Sequence, residues 1–273
     1  MAEARRSVVA LPEECLSHVI SLTCSPRDAC RSSTVCGVFR GAADSDLTWD
    51  KLLPSDYREI ISRSVCPPEF DSKKDLFVKL SSAPLLIDGG RKTFWVDKYT
   101  NKRCYMLSAK ELSITWATNP LCWCWKPTHH LFPEAIELIS VCRLEIIGKF
   151  NTSMLSPNTI YGAYLVVQLT GRAFGLTASP FEVSVQVGDY KTSARFYLKS
   201  HDECKRQGSD VSPAHGEERA LSPRGDGWSE IELGEFYCGG AHREVKMEFK
   251  EVKSEHLKGG LLVEGIELRP KHL

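Results

Sequence analysis

Residues 113–127 read SITWATNPLCWCWKP and hold three of the chain's six tryptophans, Trp116, Trp123 and Trp125. Cys122 and Cys124 alternate with the last two, and His129 and His130 follow. Three chemistries compete for such a stretch. Thiolates and imidazoles could bind zinc, but C-x-C with His-His five residues on is not a common zinc spacing. If the segment is extended, the two cysteines share one face and Trp123 and Trp125 the other. That favours packing, and no metal is expected. The indoles could instead be core, or a flat surface for the apolar face of a ligand ring. The Asn119-Pro120 turn lies between Trp116 and Trp123, where a tight loop could bring them together. Nowhere does the chain carry a nucleophile elbow, a P-loop or a dinucleotide fingerprint. A non-catalytic protein without a cofactor is expected.

The whole chain bounds what must position these residues. Its 273 residues suffice for one large domain or two modest ones, and 42% apolar residues can build a core. Lys plus Arg equals Asp plus Glu at 35 each. That balance argues against nucleic acid as a partner, because neutralising phosphates needs a basic surplus. No run approaches the ~20 apolar residues of a membrane span, so no membrane insertion is expected. MAEARRSVVALPEE lacks the apolar run of a secretory signal. Eleven cysteines, an odd number in no disulfide framework, fit small buried residues in a reducing compartment, cytoplasmic or nuclear.

Two grammars divide the chain. Residues 8–53 read as short helices. Pro12 and Glu13-Glu14 suit a first turn, with Leu16, Val19 and Ile20 at helical spacing. Ser25-Pro26-Arg27-Asp28 predicts an N-cap and capping box opening a second helix through Ala29, Val35, Cys36 and Phe39. One more amphipathic turn runs over Asp46–Leu53. Residues 54–90 read as a mixed connector. From about residue 91 the period becomes two: Ala163, Leu165, Val167 and Leu169; Val183, Val185 and Val187; Val245, Met247 and Phe249. Many short strands without intervening helices predict an antiparallel β-sandwich over 91–271, with 199–227 as a long exposed loop. The fold class is therefore α+β and multidomain.

The stretch LPEECLSHVISLTCSPRDACRSSTVCGVFRGAADSDLTWDKLLP resembles an F-box through Leu11, Pro12, Ile20, Ser25, Pro26, Asp28, Val35, Cys36, Phe39 and Trp49. The resemblance implies docking on the Skp adaptor and cullin scaffold of an SCF-type ubiquitin ligase. Leu11, Pro12, Ile20, Pro26 and Val35 would be the adaptor-binding positions. It also implies that Leu11, Pro12 and Ile20 stay partly exposed while Phe39 and Trp49 are buried.

The blocks from TFWVDKYTNKRCYMLSAKELSITWATNPLCWCW through EVKMEFKEV to GLLVEGIELRP resemble the phloem protein 2 family, whose lectin members are Nictaba-type. That resemblance implies a jelly-roll β-sandwich that binds N-acetylglucosamine oligomers or N-glycans of glycoproteins. It implies a sugar site of Trp116, Trp123, Glu244 and Glu251; Trp125 is itself expected as packing that anchors Trp123. One conflict is internal to this set. In a regular strand the seven steps from Glu244 to Glu251 span roughly 23 Å and turn the side chains to opposite faces. Both could serve one sugar only if the strand bends, bulges or ends between them. Joined to an F-box, such a domain implies a non-catalytic adaptor presenting glycoproteins for ubiquitination. An unglycosylated protein surface, or a lectin acting without ubiquitination, is the alternative.

Overall fold

The computed structural model describes residues 11–23, 25–199 and 217–271; most of the loop expected at 199–227 lies outside these. The chain divides into two compact units, Met1–Gly89 with Phe94–Arg103, and Gly90–Thr93 with Cys104–Leu273.

The first unit is mainly helical: α1 (Glu13–Ser21), α2 (Pro26–Ser32), α3 (Gly37–Asp44), α4 (Asp46–Leu52), α5 (Tyr57–Ser62) and α6 (Lys73–Ser82), with the short strand β1 (Leu85–Ile87). Pro12 stands just before α1, and Glu13 and Glu14 occupy its first turn. Ser25 caps α2 by accepting from Asp28 N at 3.3 Å. The second helix expected from Pro26 onward is two helices. Ser32, Ser33 and Thr34 turn their hydroxyls back onto the carbonyls of Asp28, Cys30 and Arg31, an alternative to the helical ladder that favours termination. Cys36, fully extended at φ −165°, then starts α3. The core forms around Trp49, whose indole donates to Ala43 O at 2.7 Å and packs against Phe77 with ring centroids 5.1 Å apart. Thr48 donates to Ala42 O and Ser17 O, tying α4 to α3 and α1. Residues 54–90, expected as a mixed connector, thus contribute α5 and α6 to this unit.

The unit boundary runs through β2 (Lys92–Val96). The second unit contains β3 (Arg103–Ser108), β4 (Ser113–Ile114), β5 (Trp123–Pro127), β6 (Glu134–Leu138), β7 (Leu144–Asn151), β8 (Thr159–Phe174) and β9 (Phe181–Val187). It continues with β10 (Tyr190–Lys199), β11 (Glu217–Ala220), β12 (Ser222–Pro223), β13 (Ser229–Cys238), β14 (Glu244–Glu251) and β15 (Gly259–Pro270). In one sheet β15 pairs with β3 and β6 on one side and β8 on the other, β5 adds to β6, and β8 leads to β13 and β12. The other runs β11-β10-β9-β14-β7-β4. All these pairs are antiparallel except β10 with β11.

Alternation explains the sandwich. Val183 and Val185 of β9, Val245, Met247 and Phe249 of β14 and Leu144, Ile146 and Phe150 of β7 are all buried. Phe181 and Phe249 stack at 4.7 Å. Across the interior, Tyr105 of β3 meets Phe150 of β7 with centroids 5.1 Å apart. The sheets approach so closely at Gly148 that a β-carbon there would stand 2.7 Å from Ile266 Cδ1 of β15.

Candidate functional site

In the helical unit the apolar positions of α1 divide between two faces. Leu16 and Ile20 point inward, Ile20 being only 3% exposed. Leu11, Cys15, Val19 and Leu22, spaced by four, four and three residues, form an outward stripe, with Val19 55% exposed. Val35 and Val38, between and within the next helices, are exposed as well. Of the five expected docking residues, Leu11, Pro12 and Val35 are therefore at the surface, while Ile20 and Pro26 are buried. The expectation that Ile20 stays partly exposed is corrected: it belongs to the packing layer with Leu16, and Val19, one residue earlier, takes the outward position.

In the β unit the tryptophan loop has an unexpected polarity. Trp123 is 3% exposed, and its indole donates to Thr115 O at 2.9 Å. Its faces are covered, so the ring offers no stacking surface. Trp116 is 45% exposed and sits at φ +60°, a backbone region that bulky residues rarely occupy. Hydrogen bonds from Ala117 N to Ile114 O and from Asn119 N to Trp116 O close the turn around it. Asn119 Oδ1 accepts from Leu121 N, and Leu121 projects into solvent beside it. Trp125, expected as packing that anchors Trp123, stands outward on β5, with the Lys110 ammonium 5.5 Å from its ring centroid. Cys122 and Cys124 are half-buried free thiols. Among the described residues no group of three or more His, Cys, Asp and Glu side chains is arranged to hold a metal.

The two glutamates are not brought together. β14 pairs with β7 in unbroken register from Glu244 opposite Asn151 to Glu251 opposite Leu144. They occupy the two ends of a straight strand, roughly 23 Å apart. Glu244 is exposed and pairs with Lys149 at 2.9 Å. Glu251 is buried. One oxygen accepts from Lys253 N and Ser254 N, and the other lies 2.7 Å from the buried Lys258 ammonium. Lys258 also donates to the carbonyls of Cys142 and His256. This carboxylate is spent on holding the β14–β15 connection. Of the four expected sugar-site residues, Trp116 and Glu244 face solvent, and Trp123 and Glu251 are interior.

Two further charge groups complete the electrostatics. Burial alone would raise the Glu248 carboxyl, but hydrogen bonds from Lys246 and Ser184 and the charge of Lys250 outweigh it and bring it down to about 2. On the other sheet, Arg269 pairs with Glu230 and Glu267 and lies 3.8 Å over the Tyr164 ring; Arg224 closes the cluster onto the same two carboxylates. Its guanidiniums and carboxylates pair with one another.

The chain thus combines a small helical module bearing an outward apolar stripe with a β-sandwich that is antiparallel apart from one strand pair. The chain matches the phloem protein 2 family over residues 102–270 and an F-box-like family over residues 8–55. It is 43% identical to "F-box protein PP2-B15" of Arabidopsis thaliana over 282 aligned residues, covering 96% of this chain and 97% of that one. It is also 43% identical to "F-box protein VBF" of the same plant, covering 97% and 100%. The chain belongs to the F-box proteins that carry a phloem protein 2 domain. Its role is accordingly that of an F-box substrate-recognition protein. No helix among the described residues is long and apolar enough to cross a membrane.

Proposed function

We propose that this chain is the substrate-recognition adaptor of an SCF-type ubiquitin ligase in the cytoplasm or nucleus, and that its β-sandwich captures glycoproteins through N-acetylglucosamine-containing glycans. It contributes no catalytic group; ubiquitin transfer belongs to the cullin-bound components. The observation that carries the first half is the stripe Leu11, Cys15, Val19 and Leu22 with Val35, apolar side chains held outward on a folded helical scaffold. Water around such a stripe is released when a partner covers it, at about 25 cal/mol per Å² of apolar surface. The Skp adaptor is the partner that fits an F-box, and it brings the cullin scaffold with it.

The second half rests on the membership of the β unit in the phloem protein 2 family and on exposed aromatic side chains at its surface, Tyr190 and Tyr237 among them. An aromatic ring face covers the apolar face of a pyranose, while neighbouring polar groups meet its hydroxyls. The test is bridging: immobilised Skp adaptor should retain an N-glycosylated protein only when this chain is present, and enzymatic removal of the glycans should abolish retention.

A further inference from the structure

A cleft of about 550 Å³ in the β unit lies at the opposite end of β7 and β14 from Trp116. Thr115 N bonds to Glu145 O near one end of β7, whereas Thr152, just past the other end, lines the cleft. We propose that this cleft is a pyranose-binding site, with Tyr190 and Tyr237 as stacking rings and Arg243 and the edge of β13 as the hydroxyl-binding groups. The proposal rests on the glycan reading above and locates where that glycan is held.

The walls are built rather than incidental. β9 and β10 are joined by the two-residue turn Gly188-Asp189, with Gly188 at φ +58°, so Tyr190 is placed directly after a tight hairpin. The opposite wall is the β13–β14 connection. Thr152 donates N–H to Arg243 O at 2.8 Å, and its hydroxyl lies 2.8 Å from Ala241 O and accepts from Arg243 N at 3.1 Å. Gly240 takes φ +82° against Pro157. Tyr237 is 59% exposed, yet its hydroxyl donates to Asn158 Oδ1 at 3.0 Å. The ring is pinned at its tip while its face stays open. An aromatic plane ordered before binding loses little side-chain entropy on receiving a sugar.

The polar groups also fit. Arg243 Nη1 lies close over Gly188, where a β-carbon would come within 3.1 Å of it. Among the described residues no carboxylate pairs with that guanidinium. Glu235, Phe236, Tyr237 and Cys238 line the cleft consecutively, as the edge of a strand does. Among the described residues, β12 pairs with β13 only at Ser229 and Glu230, so the edge at 235–238 leaves main-chain groups for a ligand. A wholly apolar ligand would bury these donors and acceptors unpaired. A peptide added as a strand would have to run on past Glu235, where the register shift between Glu232 and Gly234 interrupts the ladder, so the regular edge at 235–238 is short for strand addition. A pyranose, with an apolar face and a rim of hydroxyls, matches both surfaces.

The experiment is calorimetric titration of the full chain with chitotriose, beside a glycan array. Tyr190→Ala with Tyr237→Ala should lower chitotriose affinity at least tenfold with an unchanged melting temperature, and Arg243→Ala at least threefold. Trp116→Ala, at the far end, should stay within twofold of wild type. Retained binding in the tyrosine double variant, with loss in Trp116→Ala, overturns the cleft and leaves glycan recognition standing at the tryptophan loop. A wild-type chain that binds no glycan on the array and no chitotriose overturns glycan recognition itself, and the cleft's ligand with it.

Discussion

Glu251 and Lys258 leave water together, and their value to the fold lies in neither being left alone. Removing one partner of a buried pair strands the other charge and costs about 3–5 kcal/mol. Lys258→Met should therefore lower the unfolding free energy measured in urea by a margin of that size, whereas Lys149→Met, which leaves Glu244 in solvent, should change it by less than about 0.5 kcal/mol. Equal effects of the two substitutions would contradict the assignment of Glu251 to structure. Glu248 provides the pH signature. Its folded value of about 2 lies below the ordinary unfolded value of about 4.3, so it binds protons more readily unfolded. Its contribution is complete above about pH 5 and is lost as the pH falls toward 2. Glu248→Gln should flatten that acid limb in urea melts at pH 6 and pH 3. A wild-type-like slope would count against it. The inward position of Glu251 was legible beforehand, because it shares the parity of Val245, Met247 and Phe249. The inward position of Trp123 was not, since an indole suits a core and a ligand surface equally.

At the scale of elements, periodicity read the strands well and the helices less well. Strands with one buried face alternate, and β7 follows that rule residue by residue, while β9 and β14 depart from it only at the hydrogen-bonded pair Ser184 and Glu248. In α1, Leu16, Val19 and Ile20 are all apolar, and spacing alone cannot tell a core face from a partner-binding face. The division becomes visible only when Trp49 and Phe77 fill the inside. Breaking α2 from α3 depended on hydroxyl-to-carbonyl bonds that compete quietly with the ladder. The cleft tyrosines left no motif, because sheet topology brings them together from separate strands. The corresponding prediction concerns α1. Val19→Asp with Leu22→Asp should leave the helical circular dichroism and melting within about 1 kcal/mol of wild type while abolishing co-elution with the Skp adaptor. Ile20→Asp should instead unfold the helical unit, since a carboxylate cannot be buried unpaired. A double variant that still co-elutes would remove the stripe as the docking face.

At the scale of the molecule, the chain divides into two compact units, one mainly helical and one a β-sandwich. The α+β division and the family were both readable, the first from the change of period near residue 91 and the second from ordered blocks along most of the chain. The burial of the expected sugar-site residues was not fully readable, because a resemblance carries residue identities without their burial. The central claim is that this chain physically joins a ligase adaptor to a glycoprotein. Its most direct test is the three-component capture on immobilised Skp adaptor. Wild-type chain should retain an N-glycosylated protein, and the Val19→Asp/Leu22→Asp variant or a deglycosylated target should give background only. Retention that survives deglycosylation, or that occurs without the chain, would contradict the account.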